Sequence, residues 1–90
     1  MTFQTQEGRL YALDGEGRLV AEVTFPAVGD GLVEINHTFV DESLRGQGVA
    51  GRMMQAVAQL LRDRGWKARP TCSYAAKWFE GHPEYGDVTE

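Results

Sequence analysis

Along the chain, apolar residues first alternate and later recur at intervals of three and four. Leu19, Ala21, Val23 and Phe25 alternate with Val20, Glu22 and Thr24, the period of two that belongs to a pleated strand. Leu10-Tyr11-Ala12-Leu13 precedes it across Asp14-Gly15-Glu16-Gly17, a turn sequence, so the two segments predict a β-hairpin. A second turn at Val28-Gly29-Asp30-Gly31 introduces a third strand over Leu32 to Val40, antiparallel to the second because the connection is short. Simple alternation within it puts Val33, Ile35, His37 and Phe39 on one face and Leu32, Glu34, Asn36, Thr38 and Val40 on the other.

Beyond Asp41-Glu42-Ser43-Leu44 the period changes. Val49, Met53, Ala56, Val57, Leu60 and Leu61 line one side of a helix expected from Gly46 to Arg64, about 28 Å long, with basic residues in its last turn and Gly65 as its C-cap. Trp66 to Cys72 then reads as a short strand, with Pro70 at a sheet edge or where pairing stops. Ser73 is the expected cap of a second helix through about Glu80, ended by Gly81-His82-Pro83. The order βββαβα predicts an α/β (α+β) fold: a mainly antiparallel sheet with one right-handed βαβ crossover.

Ninety residues suffice for a single domain over positions 1–90 but not comfortably for two. One cysteine allows neither an internal disulfide nor a Cys-rich zinc site, no metal is expected, and no apolar run reaches the ~20 residues that span a bilayer. The polar start Met1-Thr2-Phe3-Gln4-Thr5-Gln6-Glu7 does not read as a signal peptide, so a cytoplasmic location is expected. A net charge of -4 speaks against nucleic acid as a partner. The charge is segregated, however: Arg45 to Lys77 holds seven basic residues and one acid, and the remainder holds two basic residues and twelve acids.

Inside the basic block stands Arg45-Gly46-Gln47-Gly48-Val49-Ala50. Glycines let a ligand approach the backbone, and the first turn of a helix leaves N–H groups without intrahelical partners, so the loop suits a diphosphate, with Arg45 and Arg52 adding charge. It lacks the Gly-Lys-Ser/Thr of a Walker loop and the three spaced glycines of a dinucleotide-binding fingerprint. Arg45, Gly48 and Ala50 do match Arg/Gln-x-x-Gly-x-Gly/Ala. With His37-Thr38-Phe39-Val40, Pro70-Thr71-Cys72-Ser73-Tyr74 and His82-Pro83-Glu84-Tyr85, the chain from Leu32 to Tyr85 resembles the small single-domain members of the GNAT superfamily of acyl-CoA N-acyltransferases. The resemblance implies acetyl-CoA as donor and the N–H groups of Gln47, Gly48, Val49 and Ala50 on its pyrophosphate. It further implies that the strand before the loop splays from the strand after the helix, that backbone groups of Phe39 and Val40 meet the pantetheine arm in the gap, and that basic residues beyond the loop meet the 3′-phosphate.

Acyl transfer to an amine requires a neutral nucleophile, donors for the carbonyl oxygen and a proton for the departing thiolate. Glu34 and His37, on the third strand, are candidate bases. Cys72, at the junction of a strand and a helix start, is a candidate for covalent acylation. In the family a tyrosine seven residues after the corresponding strand end protonates the thiolate; here that residue is Phe79, which leaves Tyr74 or Cys72 as the alternative donor. Only Asp14 to Gly17 separates the first two strands, so no helices wall the acceptor side. An open side suits a protein lysine or an N-terminal amine. The alternative function is a non-catalytic CoA or acyl-CoA binding module, and an interaction domain whose loop binds a carboxylate is a third.

Overall fold

The computed structural model describes residues 1–90. Six strands precede the long helix: β1 (Gln4–Gln6), β2 (Arg9–Leu13), β3 (Leu19–Thr24), β4 (Ala27–Gly29), β5 (Leu32–Ile35) and β6 (His37–Val40). Then come α1 (Val49–Arg64), β7 (Lys67–Pro70) and α2 (Ser73–Glu80), followed by a 3-10 segment over Pro83–Val88. The strands form a four-stranded sheet in the order β1-β2-β3-β6 and a three-stranded sheet in the order β4-β5-β7. All pairs are antiparallel except β5 with β7, which are joined through α1.

The third strand expected over Leu32 to Val40 is therefore divided at Asn36, and its halves belong to different sheets. The second strand is interrupted at the same level: β3 gives way to β4 through Phe25 and Pro26, and Pro26 has no N–H to donate across the ladder. Asn36 N–H donates to Thr24 C=O at 3.2 Å while the next residue, His37, is the register partner of that same Thr24. Two residues thus oppose one, which is a β-bulge, and a bulge shifts every later side chain to the other face. Val33 and Ile35 are buried, but in β6 it is Thr38 and Val40 that stand opposite buried Val23 and Ala21. His37, expected on the Val33 face, is turned outward and exposed. The short β1 and β4 add to the three expected strands, and of the expected turn Val28-Gly29-Asp30-Gly31 only Asp30-Gly31 is the turn, Val28 and Gly29 forming the end of β4.

Helix α1 begins at Val49, three residues later than expected, because Gly46 (φ 81°) and Gly48 (φ 73°) are left-handed and cannot continue a helix. It buries Val49, Met53, Met54, Val57, Ala58 and Leu61 against the sheets. Gly65 (φ 71°) ends it, with its N–H on Leu61 and Arg62 carbonyls. Twenty buried residues form one apolar cluster that includes Trp78 and Phe79 of α2. The C-terminal residues return to it: Tyr85 and Val88 are buried, Thr89 lies parallel to Ala68, Arg62 pairs with Asp87 at 2.5 Å, and Arg69 pairs with Glu90. No helix is long and apolar enough to cross a membrane.

Candidate active site

Asp41 accepts from the Ser43 N–H and hydroxyl, at 3.0 and 2.5 Å, and shapes the 3-10 turn Glu42–Leu44 that delivers the chain to Arg45. From there the two left-handed glycines turn the backbone into α1. None of the six N–H groups from Gly46 to Gly51 has a hydrogen-bond partner, backbone or side chain; the next, that of Arg52, bonds Gly48 C=O. A side-chain Cβ at Gly46 or Gly48 would meet nothing within 4 Å. The loop therefore presents a run of free donors at the positive end of a sixteen-residue helix, with open space in front of it. Arg45 and Arg52 are exposed and make no ion pair, unlike Arg9, Arg18, Arg62 and Arg69.

A groove of about 240 Å³ continues from this loop between Val40, Leu44 and Tyr74. It exists because β6 and β7 do not pair. β5 and β7 stay in register to Ile35 and Pro70; then both Thr71 and Cys72 N–H groups converge on Ile35 C=O, at 3.0 and 3.1 Å, and the strands part. The Asp41 N–H to Val20 C=O bond sets the β3–β6 ladder, so Phe39 N–H and C=O point into β3 while those of Thr38 and Val40 point into the gap. This corrects one expectation: the backbone of Phe39 is taken up by Glu22, and the free strand groups belong to Thr38 and Val40.

The bulge also sorts the chemically capable side chains. Glu34, even-numbered and before the bulge, and His37, odd-numbered and after it, share the outer face rather than opposite faces. Glu34 Oε2 accepts from the Thr71 hydroxyl at 3.2 Å, which ties the carboxylate to the first residue beyond β7. Thr38 faces inward, and its hydroxyl lies 3.5 Å from Cys72 Sγ across the gap. Cys72, not Ser73, is the N-cap of α2: its sulfur accepts from Ala75 N–H at 3.4 Å. The thiol thus lies on the helix side of the parted strands, and the two candidate bases lie on the open side.

Tyr74 is exposed and borders the groove, and partial desolvation pushes its phenol pKa up. A Cβ at Gly51 would stand 3.7 Å from Tyr74 Oη and 3.8 Å from Trp78 Nε1, so the glycine permits α2 to approach the first turn of α1. Phe79 is buried in the core and reaches no part of the groove. His82 stacks on Trp78 with ring centroids 3.9 Å apart and lies 2.7 Å from Trp78 C=O through Nδ1, so it finishes α2 rather than facing the gap.

A donor-lined helix start beside parted strands is what the resemblance to the GNAT superfamily implies. A family model described as GCN5-related N-acetyl-transferase matches residues 9–88, and the chain belongs to that family. Protein NATD1 of Gallus gallus is 30% identical over 63 residues, and the human protein is equally so. That stretch is 70% of this chain but 57% of the Gallus gallus protein, so the chain spans little more than half the length of the curated relatives it matches. A GCN5-like protein of known structure from Staphylococcus aureus superposes with a TM-score of 0.82 at 31% identity, over 99% of this chain and 87% of that one. The Escherichia coli GNAT family N-acetyltransferase YhbS, in complex with CoA, superposes with a TM-score of 0.57 at 28% identity, over 64% of this chain and 35% of that one.

Proposed function

We propose that the protein is an N-acetyltransferase that uses acetyl-CoA and acetylates an amine on a protein or peptide. The observation that carries this reading is the run of six unpartnered N–H groups from Gly46 to Gly51, beside two unpaired arginines and opening into the groove. Such donors are left unpaired at a cost unless water or an anion satisfies them, and the number and charge fit a diphosphate. Gly46, Gln47, Gly48, Val49 and Ala50 hold it by their backbones and Arg45 by charge. The backbone groups of Thr38 and Val40 serve the amide-bearing arm. When bound, acetyl-CoA supplies a thioester carbonyl to be attacked.

The chain's residues divide the remaining work between the faces of the parted strands. Glu34 or His37, on the open side, takes the proton from the attacking amine, directly or through water. Thr38, Cys72 and Tyr74 are the proton-bearing groups on the groove side, where the leaving sulfur needs a hydrogen. The absence of helices over the outer face leaves room for a macromolecular acceptor, and the acidic remainder of the chain favours a cationic one. Calorimetric titration with CoA and acetyl-CoA, followed by transfer to a lysine-bearing or N-terminally free peptide, tests the assignment. Binding of neither would remove both this reading and the alternative of a CoA-binding module; binding without transfer would leave only the latter.

A further inference from the structure

A larger cavity, about 500 Å³, lies away from the groove, where β3 passes through Phe25 and Pro26 into β4. Buried Phe25 and Val33 with half-buried Trp66 give it an apolar floor, Glu7 and Arg64 contribute opposite charges, and Thr24 and Asn36 of the bulge also line it. Beside it runs an unprotected strand edge. β4 pairs with β5 alone, and its three residues are exposed. The last backbone bond toward this strand is Phe25 N–H to the C=O of Gly8 in the β1–β2 turn, at 2.7 Å, and no strand pairs with β4 on that side. Glu34 N–H donates to Pro26 C=O and Ala27 stands opposite Val33; the alternation of an antiparallel ladder then turns the N–H and C=O of Ala27 away from β5, to the free side.

We propose that this step in the sheet edge docks an extended segment of the acceptor polypeptide, which adds as a strand beside β4 and lays an apolar side chain on Phe25, Val33 and Trp66. The proposal rests on the transferase reading and specifies its acceptor. Free main-chain groups next to an apolar cavity are what strand addition requires, since the backbone supplies affinity and the cavity supplies selectivity. Charge sets the direction. Arg64 makes no ion pair and its guanidinium is 5.6 Å from the Trp66 ring centroid, while Glu7 on the β1–β2 turn is also free of an ion pair. A segment with an acidic residue toward Arg64 and a basic one toward Glu7 is matched at both. Thr24 and Asn36 make the cavity continuous with the bulge, so a docked segment leads its amine to the outer face that carries Glu34 and His37.

The test uses the intact protein and two synthetic peptides with the same acceptor amine and apolar residue but with the acidic and basic residues exchanged. Peptide docking is read in the absence of acetyl-CoA from amide chemical shifts, and transfer from steady-state kinetics. Perturbation should centre on Ala27, Val28 and Trp66 for the matched peptide. Arg64→Glu should raise its KM about tenfold, the worth of one charge-assisted contact, rather than lower kcat, and should lower KM for the exchanged peptide. Ala27→Pro, which deletes the free N–H, should raise KM for both; CoA titration of each variant reports an intact fold. Matched and exchanged peptides that behave alike in wild type and Arg64→Glu, or shifts that avoid Ala27 and Trp66, overturn the proposal. If no peptide is acetylated yet the shifts centre on Ala27 and Trp66, the transferase reading fails and the docking surface stands. A small amine whose KM responds to Arg64→Glu as strongly as the peptide's would show a small-molecule pocket and overturn the strand-addition proposal.

Discussion

Gly48 and Gly65 bracket the same helix in nearly the same backbone conformation, at φ 73° and 71°, and a Cβ at either would meet no atom within 4 Å. Replacing either by alanine therefore adds only the cost of holding an L-residue in the left-handed region, about 1–2 kcal/mol. In a domain of this size each kcal/mol lowers Tm by roughly 4–8 °C, so both variants should melt earlier than wild type by a similar interval without ligand. They differ in where the methyl group is added. Gly65 closes the C-terminal end of α1, whereas Gly48 lies within the run of unpartnered N–H groups, where the diphosphate is proposed to sit. A hundredfold excess of CoA over its dissociation constant protects a folded protein by about 2.7 kcal/mol. Thermal unfolding of the three proteins, with and without CoA, should show full protection in wild type and Gly65→Ala and little in Gly48→Ala. Equal protection in the two variants would refute the cradle, and a much larger ligand-free loss in Gly48→Ala would make that glycine a requirement of folding instead.

Arg45→Ala should weaken CoA binding without lowering the ligand-free Tm, and the deficit should shrink as salt rises from about 0.1 M to about 1 M, over which the screening length falls from about 10 to about 3 Å. Incubation with acetyl-CoA tests Cys72 directly: an acetyl group replacing the thiol hydrogen adds about 42 Da in intact mass, an adduct that Cys72→Ser must lack. Without the adduct, transfer is direct, and Cys72→Ala should retain most activity while His37→Ala, on the open face, should not. At the C-terminus, hydrogen bonding from Arg62 and from Arg69 holds the carboxyls of Asp87 and Glu90 below the usual range. Their stabilisation is complete above the unfolded-state value of about 4 and is lost as pH falls toward the lower folded values, so Tm should decline more steeply between about pH 4 and pH 2 in wild type than in Asp87→Asn.

Local patterning is enough to place the β2–β3 hairpin, α1 with its C-terminal glycine and the extent of α2, because each is governed by residues close in sequence; the strand expected over Trp66 to Cys72 is shorter, Lys67–Pro70, with Pro70 where pairing stops rather than within a longer edge strand. The glycine-rich loop was legible for the same reason: left-handed turns and an open helix start are local properties. The division of Leu32 to Val40 was not. Alternation assumes that every residue advances the pleat by one, and whether Asn36 is paired or bulged depends on Thr24 and Pro26 in another strand. That one slip decides that Glu34 and His37 face together and that Phe39 yields its backbone to Glu22. The cap of α2 was misplaced by one residue on similar grounds, since Cys72 and Ser73 both offer a side-chain acceptor. The choice falls to Cys72 because its N–H is held on Ile35 C=O, which fixes an extended backbone there and aims the sulfur at Ala75. β4 carries no pattern of its own in three residues and forms only because β5 offers a partner. Short-range sequence thus determined the elements and the anion-binding loop, whereas the faces on which the candidate chemistry lies were decided by pairing between strands.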